Sequence, residues 1–164
     1  MQSVILSTPR LNLVLQNRDD VLKWVEELPA EVRAEISPDW LARLRSATPG
    51  DPWTLSFSIE LHDTGEKVGT CAFKAPPDAE GVVEIAYGVD EAARGKGFAT
   101  EGAAALSEFA YAHENVHLVR AHTKENDGAS ARVLDKCGFQ CVGEVIDPED
   151  GLVYRWELNR AKLF

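Results

Sequence analysis

Residues 91–102 read EAARGKGFATEG and follow an apolar run, VVEIAYGV, at 82–89. Two glycines, an arginine and a lysine at a strand-to-helix junction are the makings of an anion site. A helix beginning near Gly97 presents amides without intrahelical partners and the positive end of its dipole, which suits a phosphate. Gly95 and Gly97 let the backbone come close to such a ligand, and Arg94 and Lys96 add charge. The competing reading is a plain glycine turn with two solvated cations. Among phosphate motifs, the dinucleotide fingerprint G-x-G-x-x-G fails at its third glycine, where Thr100 stands, and the P-loop pattern fails because no Lys-Ser/Thr follows Gly97.

A second constellation, His113-Glu114-Asn115-Val116-His117, fits H-E-x-x-H, which on a helix pairs two zinc ligands with a general base. Here a strand begins at His117, so the two imidazoles do not share a helical face, and His122 lies on that strand as a poor third ligand. No metal site is expected. Cys71, Cys137 and Cys141 are odd in number and lack zinc-ligand spacing, so they read as buried free thiols, with Cys137 and Cys141 packed around the last helix.

The elements that must position the glycine junction follow from periodicity and punctuation. LNLVLQ at 11–16 alternates like a half-buried strand, and VLKWVEEL at 21–28 follows Asp19 and Asp20 with a helical apolar face closed by Pro29. Ser37 and Pro38 read as the cap and first position of a helix over DWLARLRSA. Strands at 53–61 and 67–75 form a hairpin across HDTGE; the run 82–89 is the next strand, and FATEGAAALSEFAYA the next helix. HLVRAHT at 117–123 is a strand, GASARVLDKC at 128–137 a short helix ended by Gly138, and 140–146 and 152–159 a hairpin around DPEDG. The order β-α-α-β-β-β-α-β-α-β-β predicts an α+β, or mixed α/β, domain.

A chain of 164 residues, 45% apolar, fits one globular domain over 1–164. It has no apolar run long enough for a bilayer span and no signal-peptide pattern at its start, so no membrane partner and a cytoplasmic location are expected. A net charge of -10 argues against nucleic-acid binding and mildly favours amine partners.

Arg94-Gly95-Lys96-Gly97-Phe98-Ala99 satisfies Gln/Arg-x-x-Gly-x-Gly/Ala, the acyl-CoA pyrophosphate loop of the GNAT superfamily of N-acetyltransferases. With STPRLNLVL near the start, EIAYGVDEAARGKGFATEG and NDGASARVLDKCGFQCVGE, the chain resembles the RimJ/RimL-like branch, which acetylates protein N-termini among other amines. The resemblance implies a GNAT fold: a mixed, mostly antiparallel central sheet splayed at the acyl-CoA site, with helices on both faces. It also implies transfer of the acetyl group of acetyl-CoA, as co-substrate, directly to a primary amine.

Residue by residue, the resemblance implies that backbone amides of Arg94, Gly95, Lys96, Gly97, Phe98, Ala99 and Thr100 bind pyrophosphate. Ala86, Tyr87, Gly88 and Val89 would pair with the pantetheine arm, as would Asn126, and Ser130 would sit by the CoA sulfur and protonate the leaving thiolate. An acceptor amine must be deprotonated before it attacks, so a base, direct or through water, is needed. Glu84, on the strand beside the acetyl site with an apolar neighbourhood expected around it, is the first candidate; its alternative is an outward charge on an exposed edge. Glu149, in the DPEDG turn, is the second, against a solvated turn acid. Trp24 and Trp40 read as core, or as lining of the acceptor groove. The acceptor is a protein N-terminus or a small amine; a homodimer is common among the resembling enzymes, and nothing in the sequence fixes it. Two other classes stand beside the enzyme: a catalytically idle acyl-CoA-binding regulatory module, and a nucleotide-binding protein disfavoured by the failed motifs.

Overall fold

Leu11, Leu13 and Leu15 are buried while Asn12 and Val14 face the other side, the two-residue period of a strand with one face on the core. The computed structural model describes residues 4–148 and 150–162. Its strands are β1 (Ile5–Ser7), β2 (Leu11–Leu15), β3 (Phe57–Leu61), β4 (Lys67–Phe73), β5 (Val82–Val89), β6 (Leu118–Lys124), β7 (Gln140–Asp147) and β8 (Gly151–Leu158). Its α-helices are α1 (Arg18–Glu27), α2 (Ala30–Arg33), α3 (Pro38–Ser46), α4 (Phe98–Tyr111) and α5 (Gly128–Lys136).

The strands form one sheet in the order β1-β2-β3-β4-β5-β6-β8-β7, antiparallel at every junction except β5–β6. That pair is parallel because α4 carries the chain back across the sheet between them. The parallel ladder is short. It joins Val82, Val83 and Glu84 to Leu118, Val119 and Arg120 and then stops, although β5 runs on to Val89 and β6 to Lys124. The sheet is therefore mixed, mostly antiparallel and open at its centre, as the resemblance implied.

Helix α4 covers one face, burying Phe98, Ala103, Leu106 and Ala110. Tyr111, at its end, donates its hydroxyl to the Leu158 carbonyl and accepts from the Val119 amide, tying α4 to β8 and β6. On the opposite face α1 stands over Val14, Ser58 and Thr70 across a cleft. Both early helices start at polar caps: Ser37, as expected, accepts from the Trp40 amide, with Pro38 in the first turn. Helix α1 is instead capped by Asn17, which accepts from the amides of Asp19 and Asp20, so these two residues lie inside the helix rather than before it.

Four expectations change. Strand β1 and the four-residue α2 were not foreseen, being too short for periodicity to register. The third strand begins at Phe57 rather than at residue 53, because Asp51 accepts from the Trp53 and Leu55 amides and folds residues 51–55 into a turn. Trp53 then packs on Phe73 and Phe109. Finally, only Cys71 is fully buried; Cys137 is partly buried and Cys141 exposed, since β7 is the last strand of the sheet with little covering it.

Candidate active site

The glycine junction opens onto a groove of about 570 Å³ between β5, α4 and α5. A single 3-10 turn, Glu91–Ala93, ends β5, and Gly95 (φ +78°) and Gly97 (φ +84°) then take left-handed backbone that other residues adopt only with strain. Gly97 is the N-cap of α4 and no side chain caps that helix, so the amides of its first turn are left for something else to satisfy. Arg94, Arg132 and Lys136 line the same groove, so helix end and side chains are electropositive together. Such a groove suits an elongated ligand bearing phosphate.

The loop is braced from behind. Arg10, in the turn before β2, donates from Nη1 to the Lys96 carbonyl (2.8 Å) and from Nε to Glu101 (2.9 Å), and its guanidinium lies over the Phe98 ring. Thr8 donates to the other oxygen of Glu101. Burial pushes the Glu101 carboxyl up, but the Thr8 and Arg10 donors outweigh it and hold the group below its ordinary value. Sequence reasoning gave Arg10 no role; its only signal was the STPRL stretch itself.

Of the expected ligand residues, Tyr87, Gly88, Val89, Arg94, Gly95, Gly97, Phe98, Ala99, Thr100 and Ser130 line the groove. Lys96 and Asn126 are not among its lining residues, and the β5 alternation that buries Val83 and Ile85 against α4 turns the Ala86 side chain to the opposite face, beside Ala72. Tyr87 donates its hydroxyl to the Ser130 carbonyl, fastening α5 to β5. The Ser130 amide is capped by Asp127, so the hydroxyl of Ser130 is not the helix cap; among the described residues it has no hydrogen-bond partner.

Glu84 lies on the other face of β5, at the last paired position before β5 and β6 part. It is neither on an edge strand nor in apolar surroundings, which corrects the exposed edge and the apolar neighbourhood expected for it. Lys74 Nζ and His122 Nδ1 are each 3.0 Å from its Oε2, and Arg155 donates to His122 Nε2 at 3.1 Å. These neighbours meet because β6 and β8 oppose His122 to Arg155, while Lys74, directly after β4, donates its amide to the Glu84 carbonyl. Burial would lower the Lys74 ammonium, but Glu84, Asp147 and Asp150 more than offset this and keep it charged. Glu149 lies outside the described residues; its turn is closed by the Asp150 amide on Asp147.

The same face carries a second cleft of about 730 Å³ lined by Asp20, Trp24, Trp40, Ser58, Glu60 and Thr70, among others. Trp24 is 57% exposed, so it is cleft wall rather than core. Between this cleft and β5 the sheet carries only small side chains: Thr70 pairs with Gly88 and Ala72 with Ala86. The surface between Trp24 and Glu84 is thus low and open. The H-E-x-x-H stretch takes no part: His113 stacks on Trp53 and Phe109, and among the described residues no cluster of three or more metal-ligating side chains occurs.

Residues 7–140 match the acetyltransferase (GNAT) domain family, and the chain belongs to that family. It is 31% identical over 93 residues to an uncharacterized N-acetyltransferase, p20, of Bacillus licheniformis, a match that covers 57% of this chain and 52% of that one. The chain thus aligns with about half the length of the curated relatives it matches. Among solved structures, a chimera of spermidine N-acetyltransferase SpeG from Vibrio cholerae and hSSAT superposes with a TM-score of 0.71 at 17% identity, over 93% of this chain and 97% of that one. RimL, a ribosomal alpha-N-protein acetyltransferase in apo form, superposes with a TM-score of 0.67 at 15% identity, over 97% and 96%. These two likenesses establish the shared fold.

Proposed function

We propose that the chain is an N-acetyltransferase that moves the acetyl group of acetyl-CoA directly to a primary amine. The observation that carries the reading is the opening of the sheet beyond Glu84, with a phosphate-suited loop and an unpartnered hydroxyl on one side of β5 and a carboxylate on the other. In this reading pyrophosphate meets the first turn of α4 and the cations Arg94, Arg132 and Lys136, while the pantetheine arm takes the backbone of 86–89 that β6 leaves unpaired. The acceptor enters over Thr70, Ala72 and Ala86 from the cleft walled by Trp24 and Trp40.

Chemistry then divides between the two sides of the strand. The acceptor arrives as an ammonium and must give up a proton; Glu84, with Lys74 and His122 beside it, takes that proton directly or through a water molecule. The freed amine forms its bond to the acetyl carbon, the carbon–sulfur bond breaks, the Ser130 hydroxyl supplies a proton to the departing sulfur, and the second proton, shed by the acylated nitrogen, returns through water to the Ser130 oxygen. The products are an N-acetylated amine and CoA.

We assign the chain to the RimJ/RimL-like branch on its STPRL start, its loop and the N-x-x-x-S stretch at 126–130, with a protein N-terminus or small amine as acceptor. The chain acts as a single domain over 1–164, in the cytoplasm where acetyl-CoA is supplied; among the described residues no helix is long and apolar enough to cross a membrane. The test is CoA thiol release from acetyl-CoA across a panel of peptides and small amines, beside calorimetry with acetyl-CoA. Tight binding without release from any amine identifies an idle acyl-CoA-binding module; absence of binding removes the reading.

A further inference from the structure

The contacts of Glu84 are unequal between its two oxygens. Oε2 is buried and has two nitrogens beside it, Lys74 Nζ and His122 Nδ1, each at 3.0 Å. Neither contact has the alignment of a full hydrogen bond, so Oε2 and Nδ1 sit close together while each lacks a well-directed partner. Among the described residues Oε1 has no partner, and it does not fall among the buried unpaired atoms, so it is the open oxygen.

His122 is held in one state by Arg155. A guanidinium can only donate, so the Arg155 Nε–H on His122 Nε2 requires a lone pair there. The imidazole proton is then on Nδ1, the nitrogen that lies 3.0 Å from Oε2 of Glu84. Protonating Nε2 as well would set two N–H groups against each other. The register enforces the arrangement, because His122 and Arg155 are directly opposed on β6 and β8, and His122 is only 11% exposed. Asp147 and Asp150 act on Lys74 from the β7–β8 turn, and the Arg120–Glu157 pair, at 2.9 Å, flanks His122 along the strands.

We propose that His122 and Arg155 are positioning residues for the acceptor-side base: Arg155 fixes the Nδ1–H tautomer of His122, and His122 with Lys74 engages Oε2 of Glu84 so that Oε1 receives the proton of the acceptor amine. The inference rests on the reading of Glu84 as base. Without His122 the carboxylate is held only by Lys74, on a long flexible stem, and both oxygens can turn toward or away from the acceptor. Loss of His122 should therefore act on turnover and leave acetyl-CoA recognition alone, since no residue of the cluster lines the CoA groove.

The shapes of asparagine and glutamine separate positioning from mere packing. In His122→Asn the amide nitrogen takes roughly the place of Nδ1 and can still donate to Glu84. In His122→Gln it takes roughly the place of Nε2, beside Arg155, and the donor to Glu84 is lost. We expect His122→Gln to lower kcat by about tenfold to a hundredfold, a part of what a general base supplies, with KM for acetyl-CoA unchanged, and His122→Asn to recover most of it. Nitrogen-15 NMR of the imidazole should show the Nδ1–H tautomer in the wild type and its loss in Arg155→Met. An Nε2–H tautomer in the wild type, or Asn and Gln variants equally impaired, overturns the proposal. Glu84→Gln keeps the two readings apart. If it loses turnover while both His122 variants keep theirs, only the positioning role falls; if it keeps full turnover, the base assignment itself falls.

Discussion

Arg10 Nε lies 2.9 Å from Oε1 of Glu101, joining the turn before β2 to the first turn of α4. The same guanidinium holds the Lys96 carbonyl, so one side chain fixes both the helix and the loop that leads into it. An ion pair this exposed adds little to global stability, about 0–1 kcal/mol. Its leverage is on the direction in which the loop amides point. Arg10→Ala should therefore weaken acetyl-CoA binding about tenfold, worth about 1.4 kcal/mol, while the unfolding free energy changes by less. Calorimetric affinity beside a denaturant titration checks this, and an unaltered affinity would show that the loop holds its shape unaided.

Acid should release the same lock. Glu101 is held below its ordinary value of 4.5, so its contribution to folding is present above that value and disappears as pH falls through the lower, folded value. Below that range the protonated carboxyl no longer attracts Arg10. Unfolding temperature should fall more steeply with acid in the wild type than in Glu101→Gln, which has nothing to titrate there. Parallel curves for the two proteins would remove Glu101 from the acid response.

Gly97 separates backbone strain from ligand contact. A β-branched residue at φ +84° costs about 1–2 kcal/mol in left-handed backbone, and its Cβ would stand 3.1 Å from Arg10 Nη2. Gly50 has nearly the same backbone, φ +79°, with nothing within 4 Å of where a Cβ would stand, and lies away from the groove. Gly97→Val and Gly50→Val should lose comparable stability, and only the first should lose acetyl-CoA affinity. Equal affinity in both would argue that pyrophosphate does not meet this loop.

These relationships mark what was legible before the fold was known. The loop, the Gly97 start of α4, and the Ser37-Pro38 opening of α3 are written in contiguous residues, because turn and capping chemistry acts over a few positions. The Arg10–Glu101 lock spans 91 positions and depends on where β1, β2 and α4 come to rest, which no local pattern encodes. The surroundings of Glu84 are a harder case. Its alternation along β5 was readable, but its partners arrive from β6, β8 and the residue directly after β4, and only strand order and register bring Lys74, His122 and Arg155 together. The exposure of Trp24 and Cys141 was hidden for a like reason, since an apolar residue does not announce whether another element will cover it.

Ser130 offers the sharpest separation of chemistry from structure, because the structural task nearest to it is performed by a neighbour. Asp127 caps α5 by accepting from the Ser130 amide at 3.0 Å, and Tyr87 anchors the helix through the Ser130 carbonyl, so the side chain of Ser130 carries neither bond. Removing that hydroxyl should leave the unfolding temperature nearly unchanged. Asp127→Ala, by contrast, should cost about 0.5–2 kcal/mol as a lost cap. If the hydroxyl supplies the proton to the departing sulfur, Ser130→Ala should lower kcat by at least about tenfold with little change in acetyl-CoA affinity. The defect should shrink with an acyl donor whose thiol is more acidic, since a better leaving group needs less help. A Ser130→Ala protein with normal turnover on acetyl-CoA would show that the sulfur leaves without this hydroxyl, and a marked loss of stability would show a packing role that its hydrogen bonds do not reveal.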